Sequence, residues 1–225
     1  FSSEIESIVR HRWTREPTPI ACRAGEATGP LSFSQEQLWH LDRLIPDTSM
    51  FNLFFVFELT GSLNIKALQS ALAEIVKRHS TLRTVFTVDS KQSVQVIKET
   101  SEFRLPVIDP RAGASSDLLE RVATLILRES SRPFELTVGP LFRTQLLKLA
   151  DNEHLLLVSL HHIIGDQWSM RLFRSELATL YDAFSQGRPS PLPNPPIRFI
   201  DYARWQRQML DAGLWDKQLG YWRKQ

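Results

Sequence analysis

Leu141-Phe142-Arg143-Thr144-Gln145-Leu146-Leu147-Lys148-Leu149 and His154-Leu155-Leu156-Leu157-Val158-Ser159-Leu160 are two runs of strand length on either side of the polar break Ala150-Asp151-Asn152-Glu153. Paired runs with such a break predict a β-hairpin. The second run leads directly into His161-His162. Upstream, Asp117 to Glu129 reads as a helix with Leu118, Val122, Leu125 and Ile126 on its buried side. Thr84 to Val88 and Val94 to Ile97 read as strands joined by Asp89-Ser90-Lys91-Gln92-Ser93. Ile65, Leu68, Ala71, Leu72, Ile75 and Val76 recur at helical spacing behind the cap Asn64, and that helix ends near Arg78-His79. Leu53 to Thr60 is a further strand, ending at Gly61. Ser32-Phe33-Ser34-Gln35 has the S-x-x-Q spacing of a capping box and opens a helix carrying Leu38, Trp39 and Leu41.

Downstream of the hairpin, Met170 to Phe184 is helical and Pro189 to Pro196 is a proline-rich loop. Helices near Phe199 to Leu210 and from Leu214 onward carry Trp205, Trp215 and Trp222. Strands mixed with helices, one hairpin among them, predict an α/β (α+β) layer fold, a mixed β-sheet flanked by helices. Residues 1–30 stand apart: Glu4 to Trp13 has helical spacing, and Pro17, Pro19, Gly25, Gly29 and Pro30 follow. This stretch reads as a linker with a short helix.

The composition narrows the function. The chain has 225 residues, 42% apolar and 23% charged, which is globular usage and excludes collagen-like and wholly disordered readings. Lys and Arg number 27 against 25 Asp and Glu, and a net charge of +2 argues for neither nucleic acid nor a membrane surface as partner. There is one cysteine, Cys22, so no internal disulfide forms, and a free thiol fits the cytoplasm. No apolar run reaches transmembrane length.

The chemistry-bearing stretch is His161-His162-Ile163-Ile164-Gly165-Asp166-Gln167-Trp168-Ser169. Neighbouring side chains of a strand point to opposite faces, so one imidazole can face a cleft while the other is held in the fold. Imidazole titrates near about pH 6.5, which suits proton transfer at neutral pH. Residue types alone leave catalysis and a structural histidine pair both open. A metal set of His154, His161, His162 and Asp166 is disfavoured, because adjacent strand histidines diverge and no H-E-x-x-H or C-x-x-C spacing accompanies them. No G-x-S-x-G, Walker or G-x-G-x-x-G motif is present.

At these residues the chain resembles the condensation domain of nonribosomal peptide synthetases, in the chloramphenicol acetyltransferase-like superfamily. Leu31-Ser32-Phe33-Ser34-Gln35-Glu36-Gln37-Leu38-Trp39 is similar to the opening S-x-A-Q-x-R-L-W motif. Arg78-His79-Ser80-Thr81-Leu82-Arg83-Thr84-Val85-Phe86 is similar to R-H-E-x-L-R-T-x-F, and His161 to Ser169 to H-H-x-x-x-D-G-x-S. Ile200-Asp201-Tyr202-Ala203-Arg204-Trp205 is similar to Y-x-D-F-A-x-W, with substitutions. Gln167 stands where the family usually has glycine, and Ser34 where it has alanine.

The resemblance implies amide formation between a donor acyl thioester and an acceptor amine, each on the 4'-phosphopantetheine arm of a carrier domain. It implies no cofactor bound by this chain. Its motif positions make His162 the catalytic candidate, with His161, Asp166, Arg83, Gly165 and Gln167 in supporting roles and Ser169 and Trp205 toward the substrate channel. Asp166 is expected to form a buried pair with an arginine of the second motif, Arg83 in preference to Arg78. A glycine position can need positive φ or close backbone approach, so Gln167 is expected to narrow the channel or alter substrate choice.

The family's domains have two similar lobes with the site between them. Residues 31–213 are accordingly expected to be an N-terminal lobe that folds alone, and 214–225 the start of a crossover helix into a C-terminal lobe. Implied partners are donor and acceptor carrier domains, that second lobe, and neighbouring synthetase domains, polyketide synthase domains among them. A standalone acyltransferase of the superfamily and a non-catalytic carrier-docking module are the alternatives.

Overall fold

The structure, a computed structural model, describes residues 19–23, 25–112 and 117–225. The helix expected over Glu4 to Trp13 lies outside the described residues. In chain order the elements are β1 (Thr28–Pro30), α1 (Phe33–Leu44), β2 (Asn52–Thr60), α2 (Ile65–Arg78), β3 (Thr84–Asp89), β4 (Gln92–Ile97), β5 (Val107–Ile108), α3 (Leu118–Ser130), β6 (Phe142–Ala150), β7 (Glu153–His161), α4 (Gln167–Ser185), α5 (Phe199–Asp211) and α6 (Asp216–Trp222). A short 3-10 turn, His162–Ile164, joins β7 to α4.

The strands form two sheets, β1-β4-β3 and β2-β7-β6-β5. The larger one is mixed: β2, β7 and β6 are antiparallel neighbours, and β5 runs parallel to β6. The sequence predicts the β6–β7 hairpin and its register pairs Phe142 with Leu160 and Leu147 with Leu155. Helices cover both faces of this sheet. Leu68, Leu72 and Ile75 of α2 and Phe173, Leu177 and Leu180 of α4 pack on the face bearing Leu146, Leu156, Val158 and Leu160. Val122 of α3, with Leu118, Leu125 and Ile126, packs on the opposite face against Leu147 and Leu157. β7 is buried from both sides, which is why its sequence is apolar almost without alternation. Fully burying one such leucine contributes about 1.5–3 kcal/mol relative to leaving it exposed.

Local signals set the helix starts. Ser32 and Gln35 form the reciprocal capping box of α1, and Asn64 and Asp117 cap α2 and α3 through their side chains. The β3–β4 connection is tighter than the expected five-residue loop: Ser90 and Lys91 both take positive φ, as a two-residue hairpin turn requires.

Two departures from expectation concern chain organisation. Thr28–Pro30, within the stretch read as linker, is a strand paired with β4. The residues before it are tied to α5, where Asp201 accepts from the Arg23 backbone N–H at 3.3 Å and Arg204 pairs with Glu26 at 2.7 Å. Prolines and glycines that break periodicity therefore conceal a short edge strand. Helix α4 begins three residues earlier than its apolar periodicity, because Asp166 caps it ahead of the first buried residue, Met170.

Candidate functional site

β7 delivers His161 and His162 to opposite environments. His161 is 1% exposed, with the rings of Phe51 and Phe134 beside it. Its Nδ1 accepts from the Ile163 backbone N–H at 3.1 Å, so in the neutral ring Nε2 carries the hydrogen. That Nε2 faces Asp42 Oδ1 at 3.5 Å, too long for a good hydrogen bond, and among the described residues it has no other partner. Burial, with the neighbouring His162 adding to it, pushes the His161 pKa down to about 4. Burial and then the charge of Glu135 push the Asp42 carboxyl up. Both shifts oppose a charged pair, so at neutral pH His161 is an uncharged imidazole beside the Asp42 carboxyl.

His162 is exposed. Its Nδ1 lies 2.9 Å from the Gly165 carbonyl oxygen. A carbonyl only accepts, so Nδ1 must donate, and the lone pair of the neutral ring is on Nε2. The turn that makes this bond is fixed from several sides. The His162 backbone N–H donates to Phe51 O at 2.8 Å. Gly165 is extended, and a Cβ there would lie 2.6 Å from Leu160 Cδ1, which is the close approach that favours glycine. Gln35 of the first motif donates to Ile163 O at 3.5 Å and accepts from Gln95 at 3.2 Å, so the capping residue of α1 also buttresses the histidine turn.

Asp166 is not in the buried arginine pair expected of it. It is exposed and caps α4: Oδ1 accepts from Ser169 N at 2.8 Å and Ser169 Oγ at 2.7 Å, while Ser169 Oγ accepts from Asp166 N at 3.2 Å. The Ser169 side chain is the first cause holding the Asp166 carboxyl below its usual range. Among the described residues no arginine pairs with Asp166. Arg83 is turned away, donating to Val76 O at 3.1 Å, Lys77 O at 3.4 Å and Lys98 O, where burial pushes its pKa down. The physical reason is its position on the 3-10 turn after α2, where unpaired helix-end carbonyls are within reach.

Arg78 is also committed elsewhere. It donates to Leu192 O at 3.2 Å and Pro193 O at 2.7 Å, and its Nε stands 3.6 Å from Glu176. The shorter contact to Glu176 comes from His79 Nε2, at 2.7 Å. Glu176 escaped the sequence reading. Its signal was a carboxylate at the edge of the apolar stripe Met170, Phe173, Leu177, Leu180 of α4, a place for a partnered charge.

Gln167 is the first residue of α4, exposed and with ordinary helical backbone, so no positive φ is needed there. Ser169 lies at the site. Trp205 is half-buried, stacked with Tyr202 at 5.9 Å on α5, and is not among the groups that meet His162. The metal set is separated by the strand itself: His154 and His161 lie seven residues apart on β7, roughly 23 Å. Among the described residues no three His, Cys, Asp or Glu side chains gather as ligands, and no helix is long and apolar enough to cross a membrane.

Two cavities flank the site. One of about 140 Å³ lies between α2 and α4, lined in part by Thr81, Leu82, Ile164, Trp168 and Leu172. The other, about 460 Å³, runs past Leu82, Phe103 and Phe142 beside β6. His162 lines neither, so cavity size does not locate the chemistry; the ring stands on an open face with its Nε2 available.

Residues 26–225 match the sequence profile of the Condensation domain family. One of the linear gramicidin synthase proteins of Brevibacillus parabrevis is 42% identical over 195 residues, covering 87% of this chain and 2% of that protein. The X-domain from teicoplanin biosynthesis superposes with a TM-score of 0.81 at 29% identity, covering 92% of this chain and 45% of that one. A starter condensation domain of rhizomide synthetase, solved as a variant in complex with C8-CoA, superposes with a TM-score of 0.77 at 25% identity, covering 88% of this chain and 45% of that one. The chain thus spans a small part of that synthase and less than half of either solved chain.

Proposed function

Because the chain belongs to the condensation-domain family of nonribosomal peptide synthetases, we propose that it is the N-terminal lobe of an amide-forming condensation domain and that His162 is its catalytic group. One observation carries this reading: Nδ1 of His162 is committed to the Gly165 carbonyl while the exposed ring leaves Nε2 free. The donor is an acyl thioester on one carrier's 4'-phosphopantetheine arm, and the acceptor is the amine of an aminoacyl thioester on another. The amine nitrogen attacks the thioester carbonyl, the C–N bond forms, and the C–S bond breaks. The proton lost by the amine passes to His162 Nε2 and from there to the departing thiolate. A free α-amine titrates near about 7.7–8.0, so much of it is reactive without a strong base, and holding it in line contributes as well. His161, neutral and buried, keeps the end of β7 in place, and the Asp166–Ser169 box holds the start of α4, which fixes the Gly165 carbonyl. No cofactor is assigned to this chain; the arms belong to the carriers.

Coverage of 45% of two solved chains supports the single-lobe reading, and the open face of His162 fits a site completed by a second wall. Orientation of two reactants can lower a barrier by roughly 7–11 kcal/mol, and it needs both walls. The 225-residue chain alone is expected to form no measurable amide from loaded carriers. The chain joined to its C-terminal lobe should turn over, and His162→Ala there should lower the rate by roughly 100-fold or more with unchanged thermal melting. A fully active His162→Ala, or turnover by the single lobe, overturns this assignment.

A further inference from the structure

Among the described residues no strand pairing joins the small sheet to the large one, yet a chain of buried amides runs from the first to the turn that carries His162. Gln95 of β4 is 1% exposed and Gln35 of α1 is 2% exposed. The partners decide which end of each amide is nitrogen. The Ser32 backbone N–H donates to one end of Gln35 at 3.0 Å, so that end is the oxygen Oε1 and the other carries the hydrogens. The hydrogen-bearing end meets a carbonyl, Ile163 O, at 3.5 Å. Gln95 faces two acceptors, the Pro30 carbonyl at 2.8 Å and Gln35 Oε1 at 3.2 Å, so its near end is Nε2 and both hydrogens are used. One order of donors and acceptors thus links the end of β1, through β4 and α1, to Ile163, the residue after His162. Gln95 lies outside the four motifs, and its cross-strand neighbour Phe86 is fully buried. An amide in such a place is costly unless its hydrogen bonds are made.

Building on the assignment of His162 above, we propose that Gln95 is a positioning residue of the reaction: acting through Gln35, it holds the histidine turn. The last contact of the chain is its longest, and at 3.5 Å a small rotation of the Gln35 amide breaks it. Gln95 opposes that rotation, because without it Gln35 Oε1 has the bond from Ser32 N alone among the described residues. The sheet side of the turn is held separately, by His162 N–H on Phe51 O and Ile163 N–H on His161 Nδ1. The Ile163 carbonyl is held from the α1 side. With that carbonyl loose, the following peptides tilt and the Gly165 carbonyl, which accepts from His162 Nδ1, moves with them. The imidazole then loses the contact that keeps its lone pair on Nε2.

The test compares Gln95→Met, similar in size but unable to donate, with Thr84→Val, which removes another buried hydrogen bond, to Ser80 O. In the 225-residue chain labelled with 15N-histidine, the parent should show His162 with hydrogen on Nδ1 and a bare Nε2. Gln95→Met should move both ring-nitrogen signals toward those of an unconstrained imidazole, and Thr84→Val should leave them in place even where it lowers the melting temperature. Adding Gln95→Met to Gln35→Met should shift them no further than Gln35→Met alone. In the two-lobed enzyme Gln95→Met should lower kcat by about 10–100-fold and leave KM for loaded carriers unchanged. Unmoved ring signals, an equal shift in Thr84→Val, additive shifts in the double variant or an unchanged kcat overturns the positioning role. Should Gln95→Met fail to fold, the parent still answers: the side-chain amide protons of Gln95 and Gln35 should exchange with water far more slowly than those of exposed Gln37, and equal exchange overturns the chain. A fully active His162→Ala sinks the function and leaves the hold on the turn, read from the ring signals, standing. An inactive His162→Ala beside a fully active Gln95→Met sinks this inference and leaves the function.

Discussion

From Arg78 to Thr84, polar side chains end on partners inside the fold: Arg78 on two loop carbonyls, His79 on Glu176, Arg83 on helix-end carbonyls, Thr84 on Ser80 O. From His161 to Arg174, capacity is left over: the lone pair of His162 Nε2, the Trp168 ring and the guanidinium groups of Arg171 and Arg174, which have no partner among the described residues. Both segments carry histidine and arginine next to the same sheet. The difference teaches that motif residues divide by what remains unsatisfied after folding. A buried polar group without a partner costs about 1–3 kcal/mol, so folding consumes the first set; the second set stays wet at little cost and is free to meet a substrate.

The comparison breaks most sharply at Glu176. Glu176→Ala leaves the guanidinium of Arg78, whose side chain is 5% exposed, without its carboxylate. Urea unfolding at pH 7 should show a loss of about 3–5 kcal/mol. A loss below about 1 kcal/mol would mean that the Leu192 and Pro193 carbonyls alone satisfy Arg78, and the second motif would no longer count as consumed by the fold.

A smaller effect comes from His161. Its folded pKa of about 4 lies below the ordinary imidazole value, so on acidification the unfolded chain takes up the proton first. This contribution to stability is constant above about pH 6.5, falls as pH drops from there to about 4, and amounts to about 3 kcal/mol. Asp42, pushed up by burial, works in the opposite sense at the acid end and offsets part of the loss. Stability measured by urea unfolding from pH 7 to 4 should decline, and His161→Gln should flatten that slope. An unchanged slope would show that His161 is not held neutral.

Least in size is Asp166. A helix cap is worth about 0.5–2 kcal/mol, so Asp166→Ala should lower the melting temperature modestly, and Asp166→Asn, which still accepts at the cap, should lower it less. A loss of 3–5 kcal/mol, the size for a buried pair, would restore the arginine partner that the structure does not show.

Much of the fold was legible because the signals are local. The Ser32–Gln35 capping box, the Asn64 and Asp117 caps, and the apolar faces of α2 and α3 each depend on residues within one or two turns. β1 and β5 were not legible: three and two residues long, they exist through pairing with β4 and β6 and carry no periodicity of their own. The site was legible by type and illegible by partner. His161 and His162 were expected to diverge, and they do. Arg83 was expected to reach Asp166, but it ends on carbonyls of α2 and of the segment after β4, while Asp166 closes on Ser169 three residues away.

The sequence by itself determined the longer elements, the alternation that separates His161 from His162, and the family, because each rests on short-range spacing or on motifs in order. Tertiary structure alone decided which groups were used up. The tautomer of His162 depends on where the Gly165 carbonyl lies, the neutrality of His161 on how completely β7 is covered, and the freedom of Arg171 and Arg174 on the absence, among the described residues, of an acid across space. These are desolvation and contact effects among residues distant in sequence or set by the path of a turn, and no periodicity encodes them.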